Sequence, residues 1–473
     1  MLKKFNLFLF ILFPLICIAG CRDDDNTSLT LFPLKNYNQK ISYWIPPHDA
    51  NYDKSLLSDK IQKERLAIFY KHYFGELSPW DANRVNKILQ QTKNDSIKTE
   101  QKNRIAQYSN ENKSEDTLGY GENYRPYSAD WINKIAKNMQ ISQFNHLHHN
   151  RHNRAITIEN LHARDLPTDD VYLYDYKKPG EGFPFDNLQI SSIWVGTPVY
   201  ILGQTADHAW SLVLTPDLMT WVKSKGIARV NDSFIKPWVK AIKKHPVAIT
   251  RTETSIVDTN NVYRFSAYVG SLFPGQAKAH LLKIMIPVAN QKQNAVIQHA
   301  FVSKQDATTM PLRATPRHFS HIMQTLIGRP YGWGNMYFYN DCSAELKNLF
   351  TPFGIWLPRH SSEQVHAGKF IDLSDKSPKT RINYLMKYGQ PFTTVIYVNH
   401  HVMLYIGNYP NPNSKAHELI PMTFQNKWGF KPKPDTRRAV IGKSVLFPIL
   451  EQYPEDPGLI TQSNETYFQI SIL

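Results

Sequence analysis

Cysteine is scarce in this chain of 473 residues: there are three, and only Cys342 lies beyond residue 21. Cys17 and Cys21 lie within or just after an apolar N-terminal stretch, so no cysteine pair remains to form a disulfide in the rest of the chain. A lone cysteine is usually a small apolar core side chain. In an exported protein it is also a candidate reactive thiol. The scarcity excludes a disulfide scaffold and makes Cys342 the residue to explain.

Long apolar runs are also lacking, and the run at residues 5–19 is too short to span a bilayer comfortably. It follows the basic "MLKK" and ends in "IAGC", which resembles a bacterial lipobox. We therefore predict a signal peptide over 1–20, a lipid-modified Cys21 and a polar tether over 21–54. By resemblance to enterobacterial lipoprotein sorting, Arg22 after the cysteine implies the outer membrane of a Gram-negative cell, with the protein facing the periplasm. The alternative is an ordinary secretory signal with a coincidental cysteine.

Acidic residues are outnumbered, 40 against 55 Lys and Arg, which gives a formal net charge of +15. This excess favours an anionic partner such as phospholipid or a carboxylate-rich cell-wall polymer. No basic run with interleaved aromatic residues stands out, so nucleic acid is not expected as a partner. The histidine-rich "NHLHHNRHNR" lacks acidic neighbours and fixed ligand spacing, so we interpret it as a solvated basic surface. No metal or other cofactor is predicted.

The chain is too long for one compact core, and its pattern changes along its length. Apolar residues at helical spacing predict a helical domain over 55–155. Short β-rich runs between turns predict a small barrel over 156–235, and a weaker repeat of that pattern predicts a second over 236–310. The last domain, 311–473, starts with an amphipathic helix and contains Cys342. The predicted fold class is therefore α+β, in several domains.

The stretch "DCSAELKNLFTPFG" predicts a helix that begins at Cys342. Asp341 is suited to cap its N-terminus, and Leu346, Leu349 and Phe350 share one face. Unpaired backbone N–H groups at a helix N-terminus favour the thiolate and can stabilise an oxyanion. These are the requirements of a cysteine nucleophile.

A nucleophilic thiol also needs a base, and "TTVIYVNHHVMLYIGN" supplies two histidines between β-rich runs. Val402 and Leu404 share one strand face, so His401 lies on the other. We expect that second face to point toward the helix of Cys342, which favours His401 over His400 as the base. A structural histidine is the alternative.

Three ordered segments resemble signatures of the NlpC/p60 cysteine peptidases: "GRPYGWGNMYFYNDCSAEL", "LPRHSSEQ" and "HVMLYIGN". The upstream blocks are similar to a helical N-terminal stabilising domain followed by two bacterial SH3-like (SH3b) barrels. The resemblance implies a papain-like α/β fold for 311–473. It also implies a cysteine endopeptidase that cleaves the γ-D-glutamyl–diaminopimelate (or L-Lys) bond of murein stem peptides.

The resemblance also assigns roles to individual residues. Cys342 matches the nucleophile, His401 the general base, and Tyr331 the tyrosine that supports the tetrahedral intermediate. The positions that match residues lining the substrate groove are Asp341, Ser343 and Ser361.

The third catalytic position departs from the family's common residue type. Relatives often have histidine before an N-x-W-G element, whereas "FQNKWGF" has Gln425 there. An amide oxygen is able to orient an imidazole, so we favour Gln425, with His417 as its rival.

The expected partners are peptidoglycan stem peptides and a membrane reached through Cys21. When a barrel covers the groove, relatives prefer stem peptides with a free N-terminal L-Ala, which implies recycling. Two other interpretations remain open. One is a catalytically inert, wall-binding lipoprotein, which Gln425 favours. The other is a papain-like amidase or acyltransferase, which the "PRHSSEQ" segment disfavours.

Overall fold

The computed structural model describes residues 29–91, 96–412, 414 and 418–473. Its N-terminal part contains strand β1 and five α-helices, namely β1 (Leu29–Leu31), α1 (Ile41–Trp44), α2 (Asp59–Phe74), α3 (Ala82–Leu89), α4 (Ile97–Tyr108) and α5 (Ala129–Met139). Three of the helices begin where the sequence offers a cap. Ser58, Asp81 and Ser96 each accept a hydrogen bond from the backbone N–H three residues later.

These helices bury their apolar residues against the β-rich units that follow. Phe69 of α2 lies in one core cluster with Trp238 and Phe273, whereas Tyr108 of α4 and Ile132 of α5 pack with the first β-rich unit. The helical region therefore shares its cores with its neighbours.

The first β-rich unit is a seven-stranded, antiparallel sheet in the order β4-β3-β7-β6-β5-β2-β8. Its strands are β2 (Arg154–Thr157), β3 (Leu161–Arg164), β4 (Gln189–Ile193), β5 (Pro198–Gln204), β6 (Trp210–Leu214), β7 (Met219–Lys223) and β8 (Ile227–Arg229). Small and β-branched residues such as Ala155, Val199 and Val213 fill its interior. These residues form a core of the unit itself.

Helix α6 (Asp232–Lys244) leads into the second β-rich unit and crosses position 235, where we expected one barrel to end. Phe234, Trp238 and Ile242 are buried at intervals of four, which is a helical pattern. The strands that follow are β9 (Pro246–Ile249), β10 (Thr254–Val257), β11 (Tyr263–Ala267), β12 (Leu272–Lys278), β13 (Leu281–Ala289), β14 (Ala295–Ser303) and β15 (Ala307–Thr309). They form a five-stranded sheet, β14-β13-β12-β9-β15, and the hairpin β10-β11.

The C-terminal part packs helices against a seven-stranded sheet in the order β1-β20-β19-β18-β17-β21-β16. Its elements are α7 (Pro316–Leu326), α8 (Cys342–Phe350), α9 (Ser361–Gln364), β16 (Lys369–Asp372), α10 (Pro378–Tyr388), β17 (Thr394–Val398), β18 (His401–Pro410), β19 (Leu419–Phe430), β20 (Arg438–Pro448) and β21 (Gln469–Ile472). Leu346 and Phe350 of α8 share a core with Val402 and Leu404 of β18. The predicted α+β class is confirmed.

The predicted tether over 21–54 is wrong for the residues that the structure describes. Strand β1 pairs in parallel with β20, with Leu29 opposite Arg438. Phe32, Tyr37 and Trp44 are buried in the core of the C-terminal sheet. The polar stretch "RDDDNTSLT" after Cys21 suggested an unstructured tether, but the aromatics that follow it contribute to a distant core. Cys21 and the predicted signal peptide lie outside the described residues.

Within the described ranges, we find no helix whose length and apolar character would let it cross a membrane.

Candidate active site

Cys342 is the first residue of α8, as predicted, and its position is fixed by the cap. The Asp341 side chain accepts a hydrogen bond from the Ala344 amide at 2.9 Å. The Cys342 Sγ lies 3.9 Å from the carbonyl oxygen of His400 and accepts a hydrogen bond from the Val402 amide. The thiol therefore lies against the backbone on both sides of His401.

The route by which His401 comes next to the thiol differs from our expectation. Helix α8 packs on the strand face formed by Val402 and Leu404, whereas Met403 packs with α10 on the other face. The pairing of β18 with β19 begins at Leu404, so His401 lies beyond the end of that ladder. The parity argument therefore placed α8 on the wrong face of the strand. The thiol approaches the backbone at the start of β18, where His401 pairs with Val398 of β17.

The His401 imidazole is held from the next strand. Its Nε2 lies 2.8 Å from Oε1 of Gln425, which is fully buried. An amide oxygen only accepts, so Nε2 carries the proton and Nδ1 keeps its lone pair. The structure thus brings His401 and Gln425 together, while the rival His417 lies outside the described residues. An imidazole with a free Nδ1 beside a thiol can act as a general base.

The protonation states of the pair are set mainly by burial. Burial, and secondarily the Asp341 carboxylate, raises the pKa of the Cys342 thiol to about 12. The expected stabilisation of the thiolate at the helix N-terminus is therefore outweighed. Burial, with a smaller effect of the Lys427 charge, lowers the pKa of His401 well below its usual value. Both groups are neutral at pH 7, so the proton must move from sulfur to imidazole during attack.

Tyr331 lies close to the nucleophile. Burial raises the pKa of its phenol well above the usual value, and the neighbouring Cys342 and Asp341 add to the effect. The backbone is fixed by a 2.9 Å hydrogen bond from the Tyr331 amide to the Gly442 carbonyl. A phenol that stays protonated beside the thiol is a hydrogen-bond donor for a developing oxyanion.

Asp341 and Ser343, which the resemblance placed in the substrate groove, are both held by Arg359. The guanidinium contacts the two carboxylate oxygens of Asp341 at 2.5 and 3.2 Å, and donates to the Ser343 hydroxyl at 2.7 Å. Ser361 donates to the His400 carbonyl at 3.1 Å, the same oxygen that the thiol approaches. All three thus lie around the nucleophile. Arg359 was overlooked, although it stands in the quoted "LPRHSSEQ" motif.

The first β-rich unit closes one side of this site. The Phe185 ring contacts Trp333 and Trp428, with ring centroids 5.2 and 4.7 Å apart. The Gln189 side chain donates to the Gly334 carbonyl at 2.8 Å. Gly334 has φ of +56°, and a Cβ there would come within 2.1 Å of the Gln189 carbonyl oxygen. The two units therefore approach closely just before Cys342.

Three family profiles match the chain. The NlpC/P60 family matches residues 328–420, which include Cys342 and His401. The chain contains an NlpC/P60 domain. The NLPC_P60 stabilising domain matches residues 10–144, and an SH3 domain of the SH3b1 type matches residues 172–223. The first β-rich unit is therefore an SH3b barrel.

Two relatives show how far the likeness to NlpC/P60 proteins extends. An NlpC/P60 endopeptidase from Photobacterium damselae subsp. piscicida is 28% identical, with a TM-score of 0.78, and the alignment covers 94% of this chain and 98% of that one. A γ-D-glutamyl-L-lysine dipeptidyl-peptidase of Bacillus subtilis (strain 168) is 27% identical over 251 residues, which are 51% of this chain and 79% of the relative. NlpC/P60 peptidases are cysteine peptidases, and this chain is an NlpC/P60 peptidoglycan hydrolase.

Proposed function

We propose that this protein is a cysteine endopeptidase that cleaves the γ-D-glutamyl–diamino acid bond of murein stem peptides. The observation that carries the proposal is the contact of the Cys342 thiol with the backbone on both sides of His401, whose imidazole is oriented by Gln425. The name of the Bacillus subtilis relative specifies a γ-D-glutamyl bond and supports that choice of substrate.

The proposed reaction uses the thiol as nucleophile and the imidazole as proton carrier. Cys342 Sγ attacks the amide carbonyl carbon while its proton passes to Nδ1 of His401. The Tyr331 hydroxyl donates a hydrogen bond to the oxyanion. Collapse of the tetrahedral intermediate breaks the C–N bond, and the His401 imidazolium protonates the leaving amine. Water, deprotonated by His401, then hydrolyses the thioester and releases the free thiol.

We further propose that short stem peptides with a free N-terminal L-Ala are preferred. The SH3b barrel covers one side of the site through Phe185 and Gln189. A long glycan-linked substrate needs an open groove, whereas a released peptide needs only its own length. This preference fits recycling of wall fragments better than attack on intact wall.

The test compares wild-type protein comprising residues 26–473 with Cys342→Ala. Each is incubated with L-Ala-γ-D-Glu-diaminopimelate, its L-Lys counterpart and muramyl-capped forms of both, and the products are identified by mass spectrometry. We expect wild type alone to release L-Ala-D-Glu from an uncapped peptide. Equal cleavage of capped peptides would contradict the free N-terminus requirement. No cleavage of any peptide would contradict the endopeptidase.

For localisation, we propose that a lipid on Cys21 anchors the protein to the outer membrane, facing the periplasm. The "IAGC" segment and Arg22 motivate this proposal. Labelled palmitate should be incorporated into full-length wild type and not into Cys21→Ala. Equal labelling of both, or of neither, would contradict it.

A further inference from the structure

The amide of Gln425 can face His401 in two ways, and only one of them leaves a base for the thiol. With its oxygen toward the imidazole, Gln425 accepts from a proton on Nε2. With its nitrogen toward the imidazole, it would donate to Nε2, and the ring proton would have to sit on Nδ1. The function of Gln425 therefore depends on which end of its amide points at His401.

Thr423 distinguishes the two ends of that amide. Its hydroxyl donates to the Phe447 carbonyl at 2.7 Å, which uses its only proton. The same hydroxyl oxygen lies 2.8 Å from Nε2 of Gln425, so at this contact it accepts. The nitrogen of the Gln425 amide is thereby held at Thr423, away from the histidine.

Gln462 holds the other end. Its Nε2 donates to Oε1 of Gln425 at 2.6 Å, so that this oxygen accepts from both Gln462 and His401. The Tyr453 hydroxyl lies 3.3 Å from both Oε1 of Gln462 and the Pro448 carbonyl oxygen, so its one proton is shared between these two acceptors. Gln462 is 1% exposed and follows Gln425 by 37 residues, outside the segments that resemble family signatures.

We propose that Gln462 and Thr423 are positioning residues that keep the Gln425 oxygen toward His401 and so hold the imidazole in its Nε2-protonated tautomer. The effect on catalysis rests on the proposed function, whereas the effect on the tautomer does not. Gln425 carries no charge that would favour one tautomer of His401. The tautomer therefore depends on the hydrogen bonds from Gln425 to Thr423 and from Gln462 to Gln425, which orient the Gln425 amide. A histidine at position 425 would need a different pair of partners.

The decisive variants are Gln462→Glu and Gln462→Met, which keep a similar length. A carboxylate at 462 presents acceptors to Gln425 and attracts its amide nitrogen, which turns the amide. A thioether removes the hydrogen bond without favouring the turned amide. We expect Gln462→Glu to lower kcat about 100-fold or more, as loss of a general base does. Gln462→Met should have the smaller effect, and KM should change little in either.

The tautomer itself is read from ¹⁵N NMR shifts of the His401 ring, identified by their loss in His401→Gln. Wild type should show a protonated Nε2 and an unprotonated Nδ1, and Gln462→Glu the reverse. Thr423→Val should weaken the same preference, whereas Thr423→Ser keeps the hydroxyl and should behave as wild type. Unchanged shifts of the remaining histidines serve as the control for folding.

The inference is overturned if Gln462→Glu keeps the Nε2-protonated ring, or if Gln462→Met lowers kcat as much as Gln462→Glu does. An equal loss of kcat in Gln462→Met and Gln462→Glu would indicate that the contact of Gln462 with Gln425 is purely structural. If wild type cleaves no stem peptide while the tautomer still reverses in Gln462→Glu, the proposed function fails and the positioning role stands.

Discussion

At the scale of single residues, the site combines a neutral thiol, a neutral imidazole and two nearby cations, Arg359 and Lys427. Lys427 follows Gln425 by two positions on β19, and burial lowers its pKa to about 8. Its charge lowers the pKa of both Cys342 and His401. Lys427 therefore opposes protonation of the base and favours the thiolate, although burial of the thiol has the larger effect.

Replacing this lysine should change the pH dependence of the thiol's reactivity. In Lys427→Met, the His401 imidazolium loses a repulsive neighbour, so its pKa rises and the base becomes protonated at higher pH. The rate of Cys342 alkylation by iodoacetamide, measured against pH, should show its acid limb moved to higher pH. Lys431→Met removes an exposed lysine just beyond the strand and should leave the profile unchanged. An unmoved limb in Lys427→Met would refute the electrostatic role.

Residue types and local capping were enough to predict that a helix begins at Cys342 with Asp341 as its N-cap. The pKa of the thiol was not predictable in the same way. A helix N-terminus is visible in the sequence, but burial by β18 and by distant loops is a property of the packed structure. Gln462 and Arg359 were overlooked for the same reason, since their roles come from contacts and not from spacing.

At the scale of elements, a buried carboxyl group connects α8 to the sheet. Glu345 is 1% exposed and accepts from Ser444 of β20 at 2.5 Å and from Asn340 at 2.6 Å. Burial raises its pKa to about 7 from an ordinary value of 4.5. The helix that carries the nucleophile is thus fixed by a group that titrates near neutral pH.

The free energy of unfolding should depend on the protonation of Glu345. Between pH 4.5 and 7 the unfolded chain loses the Glu345 proton while the folded chain keeps it, so the free energy of unfolding falls as pH rises. We expect the stability of wild type relative to Glu345→Gln to fall by up to about 1.4 kcal/mol per pH unit across this window. Urea denaturation at several pH values measures the difference, and a constant difference would be contrary to the prediction.

The strand pattern predicted β17 and β18 but misjudged which face meets α8. Alternation assigns residues to two faces without saying which face a helix covers. In the structure the apolar face meets α8, and the thiol lies against the His400 carbonyl just before the start of β18. Helix α6 had a readable signal in Phe234, Trp238 and Ile242, but surrounding β-rich runs obscured it.

At the scale of the whole molecule, residues 29–45 complete a domain whose other parts lie beyond residue 311. Tyr37 packs edge-on against Phe447, and Trp44 against Tyr409, with ring centroids 5.0 and 5.2 Å apart. No local pattern could indicate this arrangement, because the partners of these aromatics are about 400 positions away. The same limit made the segment resemble a tether.

Trp44 allows the contribution of this segment to be measured. It is 2% exposed, and its indole nitrogen donates to the Asn38 carbonyl at 2.6 Å. Trp44→Ala should lower the free energy of unfolding by about 3–5 kcal/mol. Leu31→Ala, at a position 84% exposed in the same segment, should change it by no more than about 0.5 kcal/mol. Equal effects in chemical denaturation would show that the segment does not contribute to the core.

The pairing of β1 with β20 also has a consequence for the order of folding. Thr30 and Arg438 are 408 positions apart in the chain, yet they share a hydrogen bond in adjacent strands. During synthesis on the ribosome, Phe32, Tyr37 and Trp44 cannot pack into their core until β20 has been made. By then both β-rich units already have all their strands. The pairing of β1 with β20 joins residues that are very far apart in the sequence. It should therefore be a late and slow step of folding. Until it occurs, an aromatic segment near the front of the chain remains open to chaperones and to aggregation.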